Sequence, residues 1–246
     1  MPETLDALLA TISQKFTARF EPLTIDDLTL EVLSIENIPE HIETMLRTNQ
    51  IKNPLKDLPL WAKVWPGAMI LGRLLRKYEP EGKTLLELGA GLGTLSLIAQ
   101  HYGLAKVITT DVNPDALMVA KANVLKNNLA DKIEVKLLDV SKPTNENASW
   151  PSFDFIVASE LLYLEELHRP LVKFLEHHLK IDGLGLFCTD RARRKPHFAK
   201  LAQKSFDLQE GHIGVKTTEN DTNERRIYDI LLVRHKKHNQ PANKAN

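Results

Sequence analysis

Thr84-Leu85-Leu86-Glu87-Leu88-Gly89-Ala90-Gly91-Leu92-Gly93-Thr94-Leu95 is the stretch on which the reading of the chain turns. A short apolar run carrying one acid passes into three glycines at alternate positions, after which Leu95, Leu97, Ile98 and Ala99 take up helical spacing. The pattern predicts a strand, a tight glycine turn and a helix. Glycine is needed there because the backbone must turn sharply and a ligand must approach it where a β-carbon would stand in the way.

Two ligand classes use such a turn, and spacing separates them. The dinucleotide fingerprint G-x-G-x-x-G seats a pyrophosphate on the helix N-terminus; Gly89 and Gly91 meet it, but its third glycine would fall at Thr94. The order present is acid-x-G-x-G-x-G, and a phosphate would be repelled by Glu87. The loop resembles the nucleotide-methionine loop of the class I S-adenosyl-L-methionine (SAM) dependent methyltransferases, whose ligand brings a sulfonium and an ammonium. The resemblance implies that Glu87, Gly89, Ala90 and Gly91 hold that cofactor. Downstream, Lys106 to Thr110 reads as a second strand with Asp111 at its carboxyl end, about 20 residues beyond the glycines, where an acid accepts from both hydroxyls of a ribose. Val112 stands beside it. Asp111 can also be read as the start of a turn, or as a cap for the helix that begins near Pro114.

The composition bounds the rest. At 246 residues, 43% hydrophobic and 26% charged, the chain can bury one sizeable α/β core. Lys plus Arg equals Asp plus Glu at 32 each, so no global field draws it to nucleic acid or to an anionic membrane. No apolar run approaches the 18 or so residues of a membrane span, and the N-terminus lacks the pattern of a signal peptide. The single cysteine, Cys188, lies in an apolar strand-like run and reads as a buried thiol in a reducing compartment. The expected setting is cytoplasmic.

In chain order, Thr4 to Phe20 carries Leu5, Leu8, Leu9, Ile12 and Phe16 on one helical face, Leu28 to Leu33 alternates as a strand, and Ile38 to Leu46 returns to helical spacing. Residues 1–57 are therefore expected to form an α/β extension, serving as a lid or packing on the sheet. Pro66 suits the first turn of a helix bearing Ala68, Leu71, Leu75 and Tyr78. Trp61 reads as a core anchor, and Trp65 either as another or as a wall of the ligand pocket. Pro114 to Asn128 is a helix stopped at Asn127-Asn128. Ile133 to Leu138 is a third strand ending at Asp139, which with Val140 is the candidate for recognising a base, unless it only opens the polar loop of residues 141–149. Phe153 to Ala158 is a fourth strand, and Ser159-Glu160-Leu161-Leu162-Tyr163 stands at its carboxyl end, where α/β sheets place their chemistry.

Leu164 to Lys180 is a long helix whose His168, His177 and His178 read as solvated rather than as metal ligands, since adjacent histidines point to different faces. No metal site is expected. Gly183 to Thr189 is a fifth strand. The basic run Arg191-Ala192-Arg193-Arg194-Lys195 faces water, or else lends one arginine to the site. Phe206 to Gln209 and Ile227 to Val233 give two final strands; residues 235–246 are polar, basic and expected to be disordered.

Taken together, Trp65-Pro66, the glycine loop, Asp111 and Glu160-x-x-Tyr163 follow the order of the seven-strand SAM-dependent methyltransferases. The chain resembles in particular the protein-lysine methyltransferase branch that includes the enzyme modifying the electron-transfer flavoprotein β subunit. Leu60-Trp61-Ala62-Lys63-Val64-Trp65-Pro66-Gly67-Ala68 is similar to that branch's Tyr-Trp-Ala-x-x-Trp-Pro-Gly-Gly. The likeness spans about Leu58 to Phe198. It departs at Glu160, where the branch often has Asp, and over the first sixty residues. It implies a Rossmann-like, seven-stranded, mostly parallel sheet with helices on both faces over residues 58–234. It further implies a SAM site of Trp65, Glu87, Gly89, Ala90, Gly91, Asp111, Val112, Asp139, Val140 and Ser159, catalysis by Glu160 and Tyr163, and a lysine of a protein as acceptor. A small-molecule acceptor, or a SAM-binding module without transfer, are the other readings.

Overall fold

A computed structural model describes residues 4–52, 57–142, 149–193, 196–216 and 225–236. The predicted polar loop at 143–148, Arg194-Lys195 of the basic run, the loop before the last strand and the predicted tail from 237 on lie outside the described residues.

Alternating apolar positions build the sheet. In β3 (Thr84–Leu88), β4 (Lys106–Asp111), β6 (Phe153–Ser159) and β7 (Leu179–Asp190), successive side chains go to opposite faces. Leu85, Val107, Phe155, Val157, Leu184 and Leu186 enter one buried cluster. Leu86, Ile108, Ile156, Ala158 and Phe187 enter the other. Strands buried on both faces are what a parallel sheet covered by helices demands. The first face is covered by α3 (Pro66–Leu75), α4 (Thr94–Gln100) and α5 (Pro114–Lys126), the second by α6 (His168–His178) and α7 (His197–Ala202).

With β5 (Ile133–Leu137), β8 (Phe206–Lys216) and β9 (Arg225–His235), the seven strands run in the order β5-β4-β3-β6-β7-β9-β8. The five from β5 to β7 are mutually parallel, and β9 is antiparallel to both β7 and β8. The chain leaves β3 toward β5 and returns to pair β6 on the other side, so the order reverses between β3 and β6. A crevice outside the carboxyl ends of the strands is expected there.

The expected helix of residues 4–20 is shorter than its apolar spacing suggests. α1 (Leu5–Ile12) stops at Ser13, and Phe16 already lies beyond it, its ring edge-on to Trp61 at 5.5 Å. Ala18–Ile25 is β1, a strand the periodicity did not reveal; it forms an antiparallel hairpin with β2 (Leu28–Ile35) through a turn in which Asp26 takes φ 55°. α2 (Ile38–Arg47) follows as expected. The long helix expected from Leu164 begins at His168 after a 3₁₀ turn at Glu165–Leu167, β8 runs well beyond its predicted end at Gln209 to Lys216, and β9 exceeds its predicted range at both ends, as Arg225–His235.

The hairpin is not hydrogen-bonded into the large sheet. Two asparagines of α5 take the place of a neighbouring strand. Asn123 Oδ1 accepts from Leu33 N at 2.8 Å, and Asn127 both accepts from Glu31 N at 3.0 Å and donates to Glu31 O at 2.7 Å. The spacing fits: four helical residues rise about 6 Å and two strand residues about 6.6 Å. Arg73 of α3 holds the hairpin turn through Asp26, at 2.8 Å for its shortest contact. Asn123 Nδ2 also donates to Leu92 O in the glycine turn at 2.8 Å, so one fully buried amide joins the extension to that turn. Asn123→Ala leaves a buried N–H and a buried carbonyl without partners, and should cost about 2–4 kcal/mol in equilibrium urea unfolding. A loss under about 1 kcal/mol would show that the joint contributes little.

Candidate active site

Three glycines turn the chain out of β3 with φ 63° at Gly89, 54° at Gly91 and 73° at Gly93. Gly91 admits no side chain for a second reason. A β-carbon there would stand 2.9 Å from the Trp61 carbonyl oxygen, which closes over the turn from the segment before α3. The turn is tied to the neighbouring strand by Ala90 N donating to Thr110 O and Gly91 N donating to Asp111 Oδ2, both at 2.9 Å. Asp111 Oδ1 accepts from Asn113 N at 2.9 Å, and Asn113 caps α5. The cap of that helix is therefore Asn113 and not Asp111, which opens the turn before it and also faces the glycine turn.

One cleft at the point of strand reversal takes in all twelve residues expected at the site: Trp65, Glu87, Gly89, Ala90, Gly91, Asp111, Val112, Asp139, Val140, Ser159, Glu160 and Tyr163. They arrive from five places in the chain. Val112 is 59% exposed beside Asp111, an apolar surface left uncovered at the rim. Asp139 Oδ1 accepts from Ser141 N at 2.9 Å, so it does open the following loop as well as line the cleft. Trp65 is fixed by Nε1 donating to Leu60 O at 2.8 Å, with Lys63 Nζ 4.0 Å from its ring centroid. Trp61 is a core anchor against Phe16, as read from the sequence, and also contributes to the cleft wall.

The acids of the cleft sit in little water. Glu87 is 2% exposed; its Oε2 accepts from Ser96 N at 3.1 Å and from Ser96 Oγ. Burial outweighs those two bonds and, with Asp111 nearby, pushes its carboxyl up to about 8. Burial likewise raises Asp111, against the pull of the amides of Asn113, Gly91 and Val112. Glu160, 8% exposed, is also raised by burial, with the Arg193 guanidinium pulling the other way. Burial pushes the Cys188 thiol up as well, as befits an inert core residue.

Glu160 is held in an unusual way. It takes φ 55°, a left-handed conformation that an L side chain adopts at a cost of order 1 kcal/mol, at the step where β6 ends. Its amide donates to Cys188 O at 2.8 Å and its Oε1 accepts from Asp190 N at 2.9 Å, so β7 pins it from both ends. Oε2 lies 3.1 Å from Arg193 Nη2 without the angles of a hydrogen bond and has no hydrogen-bond partner among the described residues. The loop that follows is anchored by buried His168, whose Nε2 donates to Leu162 O at 2.8 Å; it is a core histidine and not a solvated one. His178 is also buried, whereas His177 faces water.

Arg193 is the residue the expectation of a water-facing run did not single out. Arg191 is held at the surface by Asp229, but Arg193 turns into the cleft, with its Cζ 4.5 Å from the Trp65 centroid and 5.7 Å from that of Tyr163. No position in the run distinguishes it; only the short 3₁₀ turn Arg191–Arg193 decides which arginine points inward.

These residues suit a cationic adenosyl donor. Buried Thr94 Oγ1, Ser159 Oγ and Glu160 Oε2 belong to residues that line the cleft and have no hydrogen-bond partner among the described residues, the glycine turn presents bare backbone, and four carboxyl groups converge there. Residues 48–205 match the sequence model of a family described as lysine methyltransferase. Protein N-lysine methyltransferase METTL21A of Danio rerio is 35% identical over 164 residues, 64% of this chain and 73% of that protein. The electron transfer flavoprotein beta subunit lysine methyltransferase of Mus musculus is 28% identical over 179 residues, 69% of this chain and 67% of that one. Among solved structures, a TehB-like SAM-dependent methyltransferase from Corynebacterium glutamicum aligns with TM-score 0.51 at 17% identity, covering 80% of this chain and 100% of that one. The ribosomal protein L11 methylase from Lactobacillus delbrueckii subsp. bulgaricus aligns with TM-score 0.50 at 22% identity, over 69% and 80%. The two structures speak for the fold alone. The family match runs through the cleft from Trp65 to Arg193, and the chain belongs to the lysine methyltransferase family, as a SAM-dependent enzyme of the Rossmann-like class.

Proposed function

We propose that this enzyme transfers a methyl group from SAM to the side-chain amine of a lysine in a protein substrate, with donor and acceptor meeting at the carboxyl ends of β3, β4 and β6. The observation that carries the reading is Glu160: a strained, buried carboxylate at a strand end that lines the cleft, with one oxygen fixed by a backbone amide and the other, among the described residues, without a hydrogen-bond partner. When bound, the donor supplies a methyl on a positively charged sulfur, which keeps the bonding electron pair as the acceptor nitrogen takes the carbon. The nitrogen must arrive with a free lone pair, and the chain's task is to place and orient it.

On the donor side, Asp111 takes the ribose hydroxyls, Glu87 and the glycine turn take the amino-acid end, and Asp139 with Val140 and Val112 take the base. Ser159 and Trp65 close the reacting end. On the acceptor side, Glu160 accepts an N–H of the amine through Oε2, and Tyr163 with Trp65 lines the channel for the methylene stem. The relatives named as acting on protein lysines support a protein acceptor. Buried Cys188, alone of its kind in the sequence, supports a cytoplasmic setting; among the described residues no helix is long and apolar enough to cross a membrane. The expected lid is proposed to act from behind, through Asn123 and the Phe16–Trp61 contact, on the glycine turn.

Three measurements test these assignments. Labelled SAM added to lysate with the enzyme should put label into protein, recovered as methyl-lysine on hydrolysis. Glu160→Ala should abolish that label while SAM affinity stays within about threefold. Label recovered only in small solutes would overturn the protein acceptor. By calorimetry, Asp111→Ala should weaken SAM binding by about 1.5–3 kcal/mol, roughly 10- to 150-fold. An unchanged affinity removes Asp111 from the donor site. Glu87 gives a pH signature. A carboxyl raised to about 8 in the folded chain holds a proton that the unfolded chain releases near 4.5, so it costs stability progressively as pH rises from about 5 to 8. Glu87→Gln has no such titration, and its melting temperature relative to the parent should climb by a few degrees over that range; a constant gap would place Glu87 as an ordinary ionised acid.

A further inference from the structure

Arg193 stands where the proposed chemistry is most sensitive to charge. Its turn is held on both sides: Asp190 Oδ1 accepts from Ala192 N at 3.0 Å, and Arg191 is locked on Asp229 at 2.6 Å. From that turn the guanidinium reaches over Trp65 and lies 3.1 Å from Glu160 Oε2. It supplies charge to this oxygen without taking up its hydrogen-bonding capacity, while Oε1 is already used by the Asp190 amide.

We infer that Arg193 is a positioning residue that selects the protonation state of the acceptor. It neutralises Glu160 from one side and leaves an oxygen that accepts from an amine N–H but offers an ammonium little net attraction. This rests on the acceptor role proposed for Glu160. The charge count around that carboxylate supports it. Among the described residues, Asp190 and Glu160 are the acids, Arg193 and Lys63 the cations, and Tyr163, Cys188 and Tyr228 are the other titratable groups that act on it from the following loop, β7 and β9. With Arg193 this described set balances; without it the set is net negative. A lysine entering a negative, poorly hydrated site keeps its proton, and an ammonium has no lone pair for the methyl. An arginine suits the task because it stays charged under all working conditions and packs well over an aromatic ring, here Trp65, whose centroid lies 4.5 Å from its Cζ. The arrangement gives the acceptor a hydrogen-bonding partner without giving it a counter-ion.

The test needs no knowledge of the substrate. Allylamine is titrated into the enzyme bound to S-adenosylhomocysteine and followed by tryptophan fluorescence, for the parent, Arg193→Gln, Arg193→Lys and Glu160→Gln, alone and combined with Arg193→Gln. At about pH 7, where the probe is an ammonium, Arg193→Gln should bind it about tenfold more tightly than the parent. At about pH 9.5, where about half of the probe is the free amine, the gap should narrow clearly, and Arg193→Lys should follow the parent throughout. Glu160→Gln should weaken binding in both backgrounds. A merely structural arginine would change affinity by the same factor at both pH values. Equal affinities of parent and Arg193→Gln at pH 7, with Glu160→Gln still weakening both, would overturn the role of Arg193 and leave that of Glu160. Binding indifferent to Glu160→Gln would overturn the acceptor reading and this inference with it.

Discussion

The bond from the Gly91 amide to the Asp111 carboxylate is the joint on which the cleft depends. A turn with three residues in the left-handed region has few ways to satisfy its own amides, and the next strand supplies the acceptor. The same residue gathers three strand ends. Its second oxygen takes the amide of Asn113, its carbonyl takes the amide of Leu138 beyond β5, and its neighbour Thr110 takes the amide of Ala90. Burying a carboxylate is costly, and hydrogen bonds from backbone amides are the means by which a protein tolerates one. Without Asp111 the Gly91 amide loses its acceptor, and without the turn the acid loses one of the amides that hold it.

That constraint explains why acids accumulate where the sheet reverses. Glu87, Asp111 and Glu160 stand at or near the ends of β3, β4 and β6, each raised by burial and each held by backbone amides. A set of desolvated carboxyl groups is unfavourable until a cation arrives, and a ligand with a sulfonium and an ammonium relieves the strain of both burial and mutual repulsion. For Glu160 a cation is already in place, the Arg193 guanidinium at 3.1 Å. The buried acids of the cleft thus differ in that only Glu160, among the described residues, has an arginine beside it.

The sheet and the donor half were legible because their signals are local. Strand, glycine spacing and the acid at the next strand end are all readable as intervals along the chain, and every residue taken from them lines the cleft. Intervals fail where contacts are made by chance of fold. Phe16 continues the spacing of α1 by coincidence and in fact packs on Trp61 beyond the end of that helix, which hid the strand that follows. Asn123 lies among apolar neighbours in α5, and nothing in a helical pattern says that its amide spans from a hairpin to a glycine turn. Arg193 is one arginine in a basic run; its direction is set by a single 3₁₀ turn capped by Asp190. Sequence periodicity reports burial well and the partners of a polar side chain poorly.

The asparagine ladder along α5 has a consequence for how this architecture can be recombined. A hairpin captured by two side-chain amides is compatible only with a helix that carries amides one turn apart, facing outward at the right height. Exchanging the amino-terminal segment between related enzymes would therefore transplant a piece without its socket, unless α5 travelled with it. The modular unit in this protein is discontinuous in sequence: hairpin and helix belong together although the glycine turn and two strands separate them.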